Sequence, residues 1–115
     1  MATKTFNVSG CSDGACIISE NGNATVNAND YVQWNKTGNT LTSFSIAQVS
    51  GTGESQIWQS LPAPYPNANS SNWRGQIGNV GSVYEDYTIT CVCGSNKVSH
   101  DPRISVNPKT KKDAV

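Results

Sequence analysis

Histidine and methionine each occur once, as His100 and Met1, and charged side chains make up only 14% of the 115 residues. With one histidine and no Gly-x-Ser-x-Gly elbow, a Ser-His-Asp arrangement lacks its usual local signature, and a Cys-His pair would have to recruit His100. Glu85 and Asp86 are adjacent in a strand-like stretch, so they point to opposite faces and form no carboxylate dyad. A glycine-rich phosphate loop is missing too: Gly51, Gly53, Gly75, Gly78 and Gly81 open no helix and read as turns. These absences point away from an enzyme, and no motif implies a cofactor.

Charge of one sign is also lacking. Eight basic residues balance eight acidic ones, which leaves no electrostatic footprint for a phosphate backbone or an anionic lipid surface and argues against nucleic acid as a partner. No stretch approaches the roughly 20 apolar residues of a membrane span, and the first ten residues contain no apolar h-region.

What the chain has in abundance is Asn, Ser and Thr, about a third of all residues. A polar, nearly uncharged surface of this kind favours a secreted or cell-surface setting over the cytoplasm. Asn-x-Ser/Thr acceptor sequences begin at Asn7, Asn23, Asn35 and Asn69, a number close to chance for this composition. The length suits one hydrophobic core and not two. The expected organisation is a single domain over residues 1–108 followed by a flexible polar tail over 109–115.

Helix signals are sparse, because Gly, Asn or Pro interrupts nearly every window of eleven residues. Period-two alternation recurs instead. It runs through residues 4–8 and 24–26, and through 31–35, where Tyr31, Gln33 and Asn35 oppose Val32 and Trp34. Residues 41–49 place Phe44 and Ile46 on the core side, and Gly51-Thr52-Gly53 turns the chain. Residues 56–61 form a short strand or turn that runs into Pro62, Pro64 and Pro66, which forbid a central strand. Residues 62–72 are expected as a long exposed loop and 73–77 as a short edge strand. The strongest strand spans 84–92, with Tyr87, Ile89, Cys91 and Cys93 on one side. A hairpin turn follows at Gly94-Ser95-Asn96, and 97–99 with 103–106 make the closing strand. Seven or eight short strands at this spacing predict an all-β, two-sheet Greek-key sandwich, cupredoxin-like or immunoglobulin-like.

The stretch from Ala24 to Asn35, with Asp30 ending a turn and Val32-Gln33-Trp34-Asn35 following, resembles the early strands of the cupredoxin family. The later half is similar to the cupredoxin ending: Gly81, Tyr84 and Tyr87-Thr88-Ile89-Thr90-Cys91, then a loop and Arg103-Ile104-Ser105-Val106. The resemblance implies the fold but not the copper chemistry. A blue-copper centre needs two His and a Cys, often with an axial Met. Here Thr40, Thr42 and Ser43 stand where the first His would be, and His100 lies nine residues beyond Cys91.

Cys11 and Cys16 flank the turn Ser12-Asp13-Gly14-Ala15, while Cys91 and Cys93 share one face of a strand. Same-side neighbours on a strand lie about 6.6 Å apart, so a bond between Cys91 and Cys93 would need a kink. Pairing each of them with Cys11 or Cys16 is the more natural disulfide arrangement. Free thiols, a Cys-x-Cys redox couple, or a four-thiolate zinc or copper(I) site, with His100 as a possible further ligand, remain open alternatives.

Trp58, Tyr65 and Trp73 surround the proline-rich segment, with Arg74 beside them. Partly exposed aromatics of this kind suit stacking on sugar rings or anchoring a protein. Asn67, Asn69, Asn72, Arg74 and Gln76 are candidate hydrogen-bonding groups. Trp58 and Trp73 could instead plug the sandwich ends, and Trp34 is expected in the core. The functional expectation is a non-enzymatic binding or structural module that contacts protein or glycan through loops at one end. The alternative is a metal-binding protein using the four cysteines.

Overall fold

Alternating side chains fold this chain into two five-stranded sheets packed face to face. A computed structural model describes residues 1–48 and 57–109. The first sheet contains β1 (Thr3–Ser12), β2 (Ala15–Ile18), β4 (Tyr31–Lys36), β6 (Trp58–Pro64) and β7 (Trp73–Ile77), in the order β2-β1-β4-β7-β6. The second contains β3 (Ala24–Val26), β5 (Ser43–Gln48), β8 (Val83–Cys93), β9 (Asn96–His100) and β10 (Arg103–Val106). Its order is β3-β10-β8-β5, with β9 also paired to β8. Most neighbours are antiparallel, but β1 runs parallel to β4 and β3 parallel to β10. There is no α-helix among the described residues; a single 3-10 turn covers Ser19–Gly22. The expected turn at Gly51-Thr52-Gly53, the strand ends at Val49 and Gln56, and the tail beyond Lys109 lie outside the described residues.

Among the described residues ten strands replace the seven or eight expected, for local reasons. The turn at Asp13-Gly14 is tight, with Gly14 at φ 78°, so Ala15–Ile18 folds straight back on β1 as a strand. The closing strand is split in two, because Asp101-Pro102 breaks it between β9 and β10. The prolines exclude a central strand as expected, but they do not open the loop expected from residue 62. Pro62 and Pro64 lie within β6, which is tolerated because β6 is the outer strand of its sheet and its pairing with β7 is irregular at two places. The loop after it therefore shortens to residues 65–72. With β6 outside it, β7 is an interior strand between β4 and β6 and not the expected edge.

The expected faces of β4, β5 and β8 hold: Val32, Trp34, Phe44, Ile46, Tyr87, Ile89 and Cys91 are all buried. At the centre, Trp34 stacks edge-on against Tyr87 with centroids 5.4 Å apart, and Phe6 and Trp58 flank it at 6.0 and 6.3 Å. The buried polar atoms here are partnered as burial demands. The Trp34 indole donates to the Tyr87 hydroxyl, which donates in turn to the Gly22 carbonyl.

Two disulfides, Cys11–Cys93 and Cys16–Cys91, join the β1–β2 hairpin of one sheet to β8 of the other. Each member of the Cys-x-Cys pair thus bonds to a different cysteine of the first hairpin. The four-thiolate metal site is corrected by this pairing, since no thiolate remains to ligate an ion. Among the described residues no group of three or more His, Cys, Asp or Glu side chains is placed to hold a metal. His100 is engaged otherwise: its Nδ1 accepts the Cys16 backbone N–H at 3.2 Å, so the proton sits on Nε2, which faces the Asn21 carbonyl at 3.1 Å. Among the described residues no helix is long and apolar enough to cross a membrane.

Candidate functional site

The outward faces of β4 and β7 carry the polar alternates of the core residues. On β4 these are Tyr31, Gln33 and Asn35, and on β7 they are Arg74 and Gln76. The antiparallel register sets Gln33 opposite Arg74 and Tyr31 opposite Gln76. Arg74 therefore lies in the middle of the face with an aromatic ring diagonal to it.

A second ring comes from the loop after β6. The chain leaves β6 at Pro64, and the next residue, Tyr65, brings its ring to the Arg74 guanidinium. The guanidinium carbon is 4.7 Å from the Tyr31 centroid and 4.5 Å from that of Tyr65, which is cation–π distance to both rings. The Arg74 Nε donates to Gln33 Oε1 at 2.9 Å, and Gln33 in turn donates its amide to Asn35 Oδ1 at 2.8 Å. Five side chains are thereby locked into one ladder. A cleft of about 270 Å³, lined by Tyr31, Ser60, Tyr65, Arg74, Gly75 and Gln76, opens beside it.

The loop that delivers Tyr65 is braced by its own asparagines. Tyr65 N–H bonds the Asn72 carbonyl at 2.9 Å, Asn67 Oδ1 accepts from the Asn69 N–H at 3.0 Å, and Asn72 Oδ1 accepts from the Lys36 N–H at 2.9 Å. Asn67 and Asn72 thus spend their side-chain oxygens on holding the loop and not on a ligand. Asn69 is exposed at the tip. Gln76 donates to the Asn29 carbonyl at 3.2 Å.

Of the four expected site residues the structure brings two together, Tyr65 and Arg74. Tyr65 is 42% exposed. Trp58 is a correction: it is only 5% exposed, and its indole N–H is donated to the buried Glu85 carboxylate. It packs flat over Gly75, where an added Cβ would come within 2.9 Å of the ring. Trp73 has the inward parity of Gly75 and Ile77 and packs half-buried against the core opposite Trp34, which makes it an end plug. Tyr31 and Gln33 are the partners that sequence reasoning did not single out. Their shared outward parity was visible, but the β4–β7 register that sets them against Arg74 is a long-range pairing. Comparison with protein-family models and with curated proteins finds no match for this chain.

Proposed function

We propose that this chain is a non-enzymatic, cupredoxin-like β-sandwich module that binds glycan on the outer face of its first sheet. The observation that carries the reading is the Tyr31–Arg74–Tyr65 stack with its neighbouring amides. Pyranose rings present apolar C–H faces and a rim of hydroxyls, and such a ligand is met by aromatic walls with a few oriented polar groups. The contact is the flank of the sheet plus one loop, in place of a cluster of loops at one end. The cleft beside the stack, about 270 Å³ and walled by two tyrosines, an arginine, a serine and a glutamine, has the mixed aromatic and polar lining that suits a sugar-sized ligand.

The parallel β1–β4 and β3–β10 pairs support cupredoxin-like over immunoglobulin-like architecture, whose sheets are antiparallel. A secreted or cell-surface setting is supported by the two disulfides in so small a domain. The test is titration of a glycan panel with the oxidised protein and with Tyr31→Ala and Tyr65→Ala. The expected result is at least tenfold weaker binding by each variant with unchanged disulfide mass and circular dichroism. Unchanged affinity in both variants, or no glycan bound by the parent, would overturn the assignment.

A further inference from the structure

Two arginines of this protein lie over tyrosine rings, and they differ in one respect. Arg103, on the second sheet, has its guanidinium carbon 4.0 Å from the Tyr84 centroid, and a carboxylate closes its edge. Asp86 takes Nε at 2.7 Å and Nη2 at 3.4 Å across the β8–β10 pair. Arg74 is stacked twice, yet its Nε goes to an uncharged amide oxygen. Among the described residues neither of its Nη nitrogens has a hydrogen-bond partner and no carboxylate pairs with it.

We propose that the anion completing Arg74 is supplied by the ligand, which is an acidic glycan bearing a carboxylate on its sugar ring. This rests on the glycan reading of the same face. Two tyrosine rings lie within cation–π distance of the guanidinium while its Nη edge has no protein partner, and at such an edge a planar carboxylate forms two parallel N–H···O bonds. Gln33, itself held by Asn35, fixes the rotation of that edge before any ligand arrives. Arg74 is also the one charged side chain in the outward row of Tyr31, Gln33, Asn35, Arg74 and Gln76, so no neighbour in that row competes for it or repels an anion. The uronate carboxylate would stand to Arg74 as Asp86 stands to Arg103. The sugar ring would then lie in the cleft between Tyr31, Tyr65 and Ser60.

The experiment is calorimetric titration of the intact, oxidised protein with galacturonate oligosaccharides, the same oligosaccharides as methyl esters, and sulfated oligosaccharides of a neutral sugar. The expected result is a preference of about tenfold or more for the free acid over its ester, shrinking as salt screens the pair. Arg74→Gln should erase that preference, and Arg74→Lys should retain only part of it, because the point charge lacks the fork. Equal affinity for acid and ester, or a preference that survives Arg74→Gln, would overturn the acidic-ligand inference while leaving the glycan reading intact. Binding of the sulfated sugar alone would overturn the carboxylate. Binding of none of the three would overturn the acidic-ligand inference, and the glycan panel would then decide the glycan reading separately. The acid–ester comparison on the unaltered protein decides the matter even if a variant fails to fold.

Discussion

Glu85 shows how much a single buried polar side chain controls in a core this small. Only 4% exposed, it has one oxygen engaged by the Trp58 indole and the other by the Gln48 amide at 2.7 Å. Glu85→Ala would leave the Trp58 N–H buried without an acceptor, at a cost of about 2–3 kcal/mol. A denaturant midpoint lowered at constant slope would register it, and Glu85→Gln should lose less. Tyr87 adds a pH dependence. Burial holds its phenol neutral well above the ordinary value of 10.0, with the Trp34 hydrogen bond opposing this to a smaller degree. The unfolded chain ionises this group near pH 10 and the native one does not, so its contribution is full below pH 10 and declines as pH rises beyond. Tyr87→Phe, which strands the Gly22 carbonyl and the Trp34 N–H, should cost about 1–3 kcal/mol at neutral pH. The gap between the two proteins should narrow in unfolding curves taken above pH 10.

Among the elements, strands with strict alternation were legible and strands with interruptions were not. In β4 and β8, inward and outward residues separate cleanly, and the same-face placement of Cys91 and Cys93 followed from that alone. β7 is expected as an edge and Gly75 as a turn, yet the strand is interior and its glycine admits the Trp58 ring. Between a surface role and an end plug the sequence leaves Trp58 open, because its polar partner, Glu85, lies in a remote strand. Half of the candidate face was equally hidden, since Tyr65 reaches Arg74 only after β6 has paired with β7. The turn between β2 and β3 makes a further prediction. Gly22 has φ 83°, and a Cβ there would stand 2.7 Å from Pro102 and 2.8 Å from the Tyr87 hydroxyl. Gly22→Ala should therefore destabilise by about 2 kcal/mol or more, measured as a lower thermal midpoint.

For the whole molecule the two disulfides form nested rather than independent loops, since Cys16–Cys91 lies inside Cys11–Cys93, with sequence separations of 75 and 82. Once either is closed, the other closes only the small ring between the hairpin and β8. In the chain-entropy account, removing one pair as a Cys→Ser double variant costs about 2–3 kcal/mol, and removing both costs about 7 kcal/mol, more than twice as much. Guanidinium unfolding of the two double variants and the quadruple variant would show this departure from additivity.

The same nesting shapes the response to tension. A pull applied at residues 1 and 115 is carried across Cys11–Cys93, which bridges 82 positions of the chain, so the load bypasses β4, β7 and the Tyr31–Arg74–Tyr65 stack. Full extension would then reach roughly 110 Å in place of roughly 390 Å. Strung between two anchors, the domain would stretch as a short leash: β1, β9 and β10 could be drawn out, while β4, β6 and β7 would stay slack behind the disulfide.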